Sequence, residues 1–199
     1  MTVYTLDNPR MPWGDYGHIL FSGMTSHLPR RGGLLQLERT GPFVPPIAVS
    51  GIGDVLVTGE FKRLLEDSPL TALAFRPVLK ERIVWLEWEM WPKEAEDPQE
   101  IPDTGEPEDY ILLRPHSVRA SEALGDIWEL ALEDHANVRR VFDSSDQFLP
   151  EIHLDIPTWD GTDIFTAPEV RLVFVSERAK IWLEHNAPSS VAFEPVHTD

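Results

Sequence analysis

The 199-residue chain has no cysteine, which excludes disulfides and thiolate metal sites and fits a reducing compartment. Its 34 aspartates and glutamates against 17 lysines and arginines give a formal charge of -17, a field that repels nucleic acid and anionic membrane and speeds encounter with a basic partner. No segment approaches the roughly 20 apolar residues of a membrane-crossing helix. The opening MTVYTLDNPRMPW lacks the basic start and apolar run of a secretory leader, so a cytoplasmic protein is expected.

In chain order, the first 33 residues scatter aromatics and glycines without a period and define no element. A strand is predicted from Leu34 to Arg39. Gly51-Ile-Gly-Asp54 reads as a turn: it precedes a strand where a dinucleotide fingerprint must follow one, and no third glycine or lysine completes a phosphate loop. Next comes the run Val55-Leu-Val-Thr-Gly-Glu-Phe-Lys-Arg-Leu-Leu-Glu66, a β-branched strand ending at Thr58, which is suited to cap a short helix. The helix would bury Phe61, Leu64 and Leu65 at i, i+3, i+4 spacing, break at Ser68-Pro69 and lead into a strand ending at Pro77. Arg82 to Trp91 alternates as a strand, with Ile83 and Trp85 on one face and Val84, Leu86 and Trp88 on the other.

Pro92 to Asp109 holds Glu94, Glu96, Asp97, Glu100, Asp103, Glu106, Glu108 and Asp109 with only Lys93 to balance them. Its four prolines and one glycine predict an acidic loop over 93–109. Beyond it, strands are expected at Tyr110 to Leu113 and Glu151 to Ile156. A helix is expected from Ser117 to Asp134, with Ala120, Ala123, Leu124, Ile127, Trp128 and Ala131 on one stripe.

Val173-Phe-Val-Ser-Glu-Arg-Ala-Lys-Ile-Trp-Leu-Glu184 then repeats the first unit at an offset of 118 residues without gaps, and Val191-Ala-Phe-Glu-Pro-Val196 meets Leu73-Ala-Phe-Arg-Pro-Val78 at the same offset. Ser176 takes the capping position, Ala179, Trp182 and Leu183 the buried stripe, and Ala187-Pro188 the break. The expected fold is α+β: a mixed, largely antiparallel sheet with a duplicated strand-helix-strand unit and one longer helix. It forms a single domain of two halves, about 34–92 and 110–199, joined by the acidic loop. Pro77 and Pro195 place the closing strands at sheet edges or strand ends.

This order of valine, hydroxyl residue, short helix with lysine and Phe-x-Pro-Val resembles bacterial immunity proteins of polymorphic toxin systems. Trp159-Asp-Gly-Thr-Asp-Ile-Phe165 followed by Val175-Ser-Glu-Arg-Ala-Lys180 carries the likeness over about the last 45 residues, and the first unit carries it in part. Gly59 departs from the acidic residue usual after the cap, and the acidic loop has no counterpart in that pattern. The resemblance implies stoichiometric inhibition of a cognate toxin in the producing cell.

Catalytic signatures are missing from the linear pattern. There is no Gly-x-Ser-x-Gly elbow, and no two of the seven histidines are spaced as in a zincin helix. Asp143-Ser-Ser-Asp146 and Asp160-Gly-Thr-Asp163 place carboxylates three apart without calcium-loop spacing and read as solvated turns. No cofactor is expected. The partner-binding candidates are the carboxylates of Glu94, Glu96, Asp97, Glu100, Asp103, Glu106, Glu108 and Asp109, which would meet arginines of a basic toxin domain, with Trp88 and Trp91 as aromatic anchors. A hydrolase built on dispersed carboxylates and a structural or regulatory assembly protein pairing through a strand edge are the alternatives.

Overall fold

The computed structural model describes residues 2–51, 53–141 and 151–198. Its elements begin with β1 (Val3–Asp7), α1 (Asp15–Ser22), β2 (Gln36–Gly41), β3 (Ile47–Ser50), β4 (Asp54–Thr58), α2 (Gly59–Glu66), β5 (Phe75–Pro77) and β6 (Leu79–Trp85). A 3-10 turn at Trp88–Met90 precedes α3 (Asp109–Leu112), α4 (Val118–Ala123), β7 (Ile127–Leu130), β8 (Asn137–Val141) and β9 (Glu151–Asp155). The chain ends with β10 (Ile164–Phe165), β11 (Val173–Ser176), α5 (Glu177–Asn186), β12 (Ala192–Pro195) and β13 (His197–Thr198). Two four-stranded sheets, β3-β4-β7-β5 and β10-β11-β1-β12, are antiparallel throughout. β2 and β6 pair in parallel, and β13-β9-β8 forms a mixed sheet, so the fold is α+β with mainly antiparallel pairing.

The two repeated segments adopt the same conformation. Thr58 Oγ1 accepts from Phe61 N at 3.1 Å, and Ser176 Oγ accepts from Ala179 N at 3.0 Å, each satisfying an orphan donor of the first helical turn. Phe61 and Leu65 of α2, and Ala179 and Leu183 of α5, bury against one shared core with Leu6, Val55, Val57, Leu130, Val173 and Val175. Both closing strands, β5 and β12, lie at sheet edges, where the proline at the end of each removes no ladder bond.

Each four-stranded sheet takes one of its two inner strands from outside its own repeated unit. β7 lies between β4 and β5, and β1 lies between β11 and β12. The registers correspond: Trp128 faces Val57 and Pro77, and Tyr4 faces Val175 and Pro195. Val3-Tyr-Thr-Leu6 is therefore the counterpart of Ile127-Trp-Glu-Leu130, and the N-terminal strand completes the sheet of the second unit while β7 completes that of the first. Residues 127–130, counted with the half 110–199, thus pair with strands of the half 34–92. Lys62 lies 5.1 Å from the Phe75 ring centroid and 4.8 Å from that of Trp128; Lys180 lies 5.3 Å from Tyr4 and 5.6 Å from Phe193. Each lysine thus spans the inner and edge strands of its own sheet and also pairs with a glutamate one turn on, Glu66 or Glu184.

Several expectations are corrected. The helix from Ser117 to Asp134 stops after one and a half turns: Gly125 adopts φ 62, a left-handed conformation that ends helices, and Ile127 to Leu130 becomes the buried strand β7. Apolar positions suited to a helix stripe also suit a strand covered on both faces. α5, at 10 residues, is the longest helix among the described residues. Tyr110 to Leu113 is helical rather than extended, because α3 turns the chain back under the acidic segment. The strand begun at Arg82 ends at Trp85, although the two faces hold: Ile83 packs with Trp85, and Val84 with Leu86 and Trp88. Leu64 is 45% exposed; the counterpart position is filled by Trp182, whose ring reaches Phe61 at 5.7 Å. Asp143-Ser-Ser-Asp146 lies outside the described residues.

The parallel pair underlies the second core. All six residues of β2 are buried, including Arg39, which donates to the carbonyls of Phe21, Thr40 and Phe43 at 3.0–3.3 Å and closes the C-terminus of α1. Burial pushes its pKa down to about 10. Gly23 permits this approach: at φ 68 it is left-handed, and a Cβ there would lie 2.6 Å from Arg39 Cβ.

Candidate functional site

The acidic segment folds as an irregular loop whose backbone is pinned from beneath and whose carboxylates point to water. Tyr16 Oη donates to Gly105 O at 2.7 Å, Tyr110 Oη donates to Glu100 O, and Arg114 pairs with Glu100 at 2.9 Å. Thr104 Oγ1 donates to Asp109 Oδ2 at 2.5 Å, and Lys93 Nζ donates to Trp88 O at 3.0 Å. Burial, aided by the neighbouring Tyr16, pushes the Tyr110 phenol up to about 12, so it stays a donor at neutral pH. Glu94, Glu96, Asp97, Glu100, Asp103 and Glu106 are exposed, while Glu108 and Asp109 are partly buried where the loop enters α3. Among the described residues, Glu96, Asp97, Asp103 and Glu106 have no cation within ion-pair distance.

Trp88 and Trp91 do not act as exposed anchors. They are 2% and 6% exposed, because the chain turns into the 3-10 segment after Trp85 and strand alternation no longer governs which way they point. Trp91 packs on Trp13 and Tyr110 at 5.8 and 6.0 Å, and Trp88 meets Phe43 edge-on. Lys93 sits 4.4 Å from the Trp88 ring centroid and 4.9 Å from that of Trp13. The two tryptophans therefore bolt the start of the loop to the core. The exposed apolar side chains beside the loop are others: Met90, Ile101 and Leu113, at 79%, 48% and 65%. Read as a strand residue, a loop residue and a strand residue, none of them drew notice in the linear pattern; an apolar residue flanking a charged run was the available signal.

No family model and no curated protein sequence matches the chain.

The remaining ionisable groups mostly serve to hold elements together. Glu38, nearly buried, faces His27 Nδ1 at 2.6 Å and Arg82 Nε at 3.4 Å, so its charge is shared between two partners. Arg30 forms a two-pronged pair with Glu129 at 2.8 and 2.9 Å, tying the segment before β2 to β7. Gly51 and Gly53, both at positive φ, make the β3-β4 hairpin turn. In the Asp160 turn, hydrogen bonds from Thr162 and then His135 hold the Asp160 carboxyl down at about 2, and Asp163 engages Arg178. Among the described residues, no three histidines, aspartates or glutamates converge to hold a metal.

Proposed function

We propose that the protein is a protein-binding module that neutralises a basic partner domain, in the manner of an immunity protein against a bacterial toxin. The observation that carries this reading is the 93–109 segment: exposed carboxylates on a backbone held by Tyr16 and Tyr110 against a buried aromatic core, with Arg114 pairing the Glu100 side chain. A pre-ordered acidic loop loses little entropy on binding and draws arginines and lysines by long-range attraction. The net charge of -17 adds to that steering. The likeness of the two repeated units to the immunity pattern supplies the framework, and the loop supplies the recognition.

The test is co-expression with a toxic domain encoded by an adjoining gene. The wild-type protein restores growth and binds that domain with an association rate that falls steeply with salt. A variant with Glu94→Gln, Glu96→Gln, Asp97→Asn and Glu100→Gln associates at least tenfold more slowly with a flattened salt dependence. Unchanged kinetics would remove the loop from the interface, and an absence of growth protection would overturn the reading.

A further inference from the structure

We infer that the acidic loop borders an apolar docking patch, formed by Met90, Ile101 and Leu113, that takes aliphatic side chains of a basic protein segment. This inference rests on the proposed function and names the chemistry of the partner surface. The Glu100–Arg114 ion pair, 2.9 Å across, brings together the two stretches that carry Ile101 and Leu113, each one residue from a member of the pair. Met90 joins them at the rim of a concavity of about 430 Å³ that is also lined by Trp85, Glu87, Gln99, Glu100 and Arg114. Three of the six large apolar residues exposed among the described residues thus border one ion pair, beside the densest run of negative charge in the chain.

Charge complementarity selects the occupant. A concavity lined by Glu87 and Glu100, on a loop that also carries the exposed Glu94, Glu96, Asp97 and Asp103, disfavours an acidic or lipid headgroup surface and favours aliphatic residues set between arginines or lysines. Apolar burial at the centre with charged contacts at the rim is the usual division of work at interfaces, in which the centre slows release and the rim speeds arrival. The buried Trp91 lines the same concavity, so the patch is presented on a rigid base.

Two synthetic helical peptides test it, each with four arginines; one carries three leucines on a single face and the other serines at the same positions. Binding is measured by fluorescence anisotropy across a salt series. The leucine peptide should bind the wild-type protein at least tenfold more tightly than the serine peptide. A Met90→Ser, Ile101→Ser, Leu113→Ser variant should lose that difference while keeping the salt dependence and the melting temperature, since all three side chains are already largely exposed. Equal affinities for the two peptides, or a difference that survives in the variant, would overturn the patch while leaving the acidic loop as a docking edge. Salt-independent binding, or none by either peptide, would overturn the acidic reading and the patch together.

Discussion

At the entrance to α5, Asp163 is buried and accepts from Ser176 Oγ at 2.6 Å, from Thr71 N and Oγ1 at 2.8 and 3.0 Å, and from Arg178. At the matching entrance to α2 the position of Asp163 is held by Pro46, which has no side-chain acceptor to offer. Only the backbone bond recurs there, Thr58 N to Pro46 O at 3.0 Å, as Ser176 N to Asp163 O at 2.9 Å. Both entrances open onto a concavity, of about 760 Å³ beside Gly59, Arg63, Asp126 and Trp128 at α2 and of about 600 Å³ beside Gly161, Asp163, Arg178 and Ile181 at α5. What the two units share, the cap, two apolar residues four apart and a lysine over two rings, is what docks helix to sheet. What differs is the side chain facing the cap from the neighbouring strand, and the sheet tolerates either.

The sharpest break of this comparison is at that residue. Asp163→Ala should lower stability by about 2 kcal/mol in urea unfolding, because the buried Ser176 hydroxyl, the Thr71 donors and the Arg178 guanidinium lose their shared acceptor, whereas Pro46→Ala should change it by under about 0.5 kcal/mol. Equal losses would mean that the two entrances carry the same energy. Burial alone would raise the Asp163 carboxyl, but the bonds from Arg178, Ser176 and Thr71 outweigh it and hold the group below its ordinary value of 3.8. Its contribution is therefore complete above that ordinary value and fades as pH falls through the lowered native one. In an acid titration of stability, Asp163→Asn should flatten the lower limb, while changes at Pro46 leave it alone.

The caps come next. Ser176→Ala should cost about 1.5 to 2 kcal/mol and Thr58→Ala about 1 kcal/mol, since Ser176 Oγ serves both the helix and Asp163. In the Asp163→Ala background the two costs should converge, which a double-mutant cycle reads directly. The smallest effect is expected at the lysines: Lys62→Met and Lys180→Met should each cost about 0.5 to 1 kcal/mol, alike in both units because the ring contacts are alike. A large asymmetry there would break the correspondence of Trp128 with Tyr4.

The repeat was legible because its parts have local chemical signatures: a hydroxyl before a helix, apolar residues four apart and a proline after the last turn. The strands that complete the two sheets were not. Val3-Tyr-Thr-Leu6 and Ile127-Trp-Glu-Leu130 share a single identity, Leu6 with Leu130, and lie 124 apart rather than 118, so gapless comparison passes over them. The Ser117 to Asp134 stripe misled because a strand buried on both faces satisfies any apolar period, and only Gly125 marked the break. At the candidate site, composition marked the acidic loop, but whether Trp88 and Trp91 faced water depended on where β6 ended, which tertiary packing decides.

The place of β1 bears on how the molecule is made. Residues 3–7 are synthesised before both of their neighbours, β11 and β12, and β2 to β10 lie between them in the chain, with Val196 N donating to Val3 O at 2.9 Å across the seam. Sequence-distant pairing of this kind slows folding. The nascent chain must carry β1 unpartnered until Val173 to Pro195 have been made, so this strand finds shelter only after β2 to β10 exist.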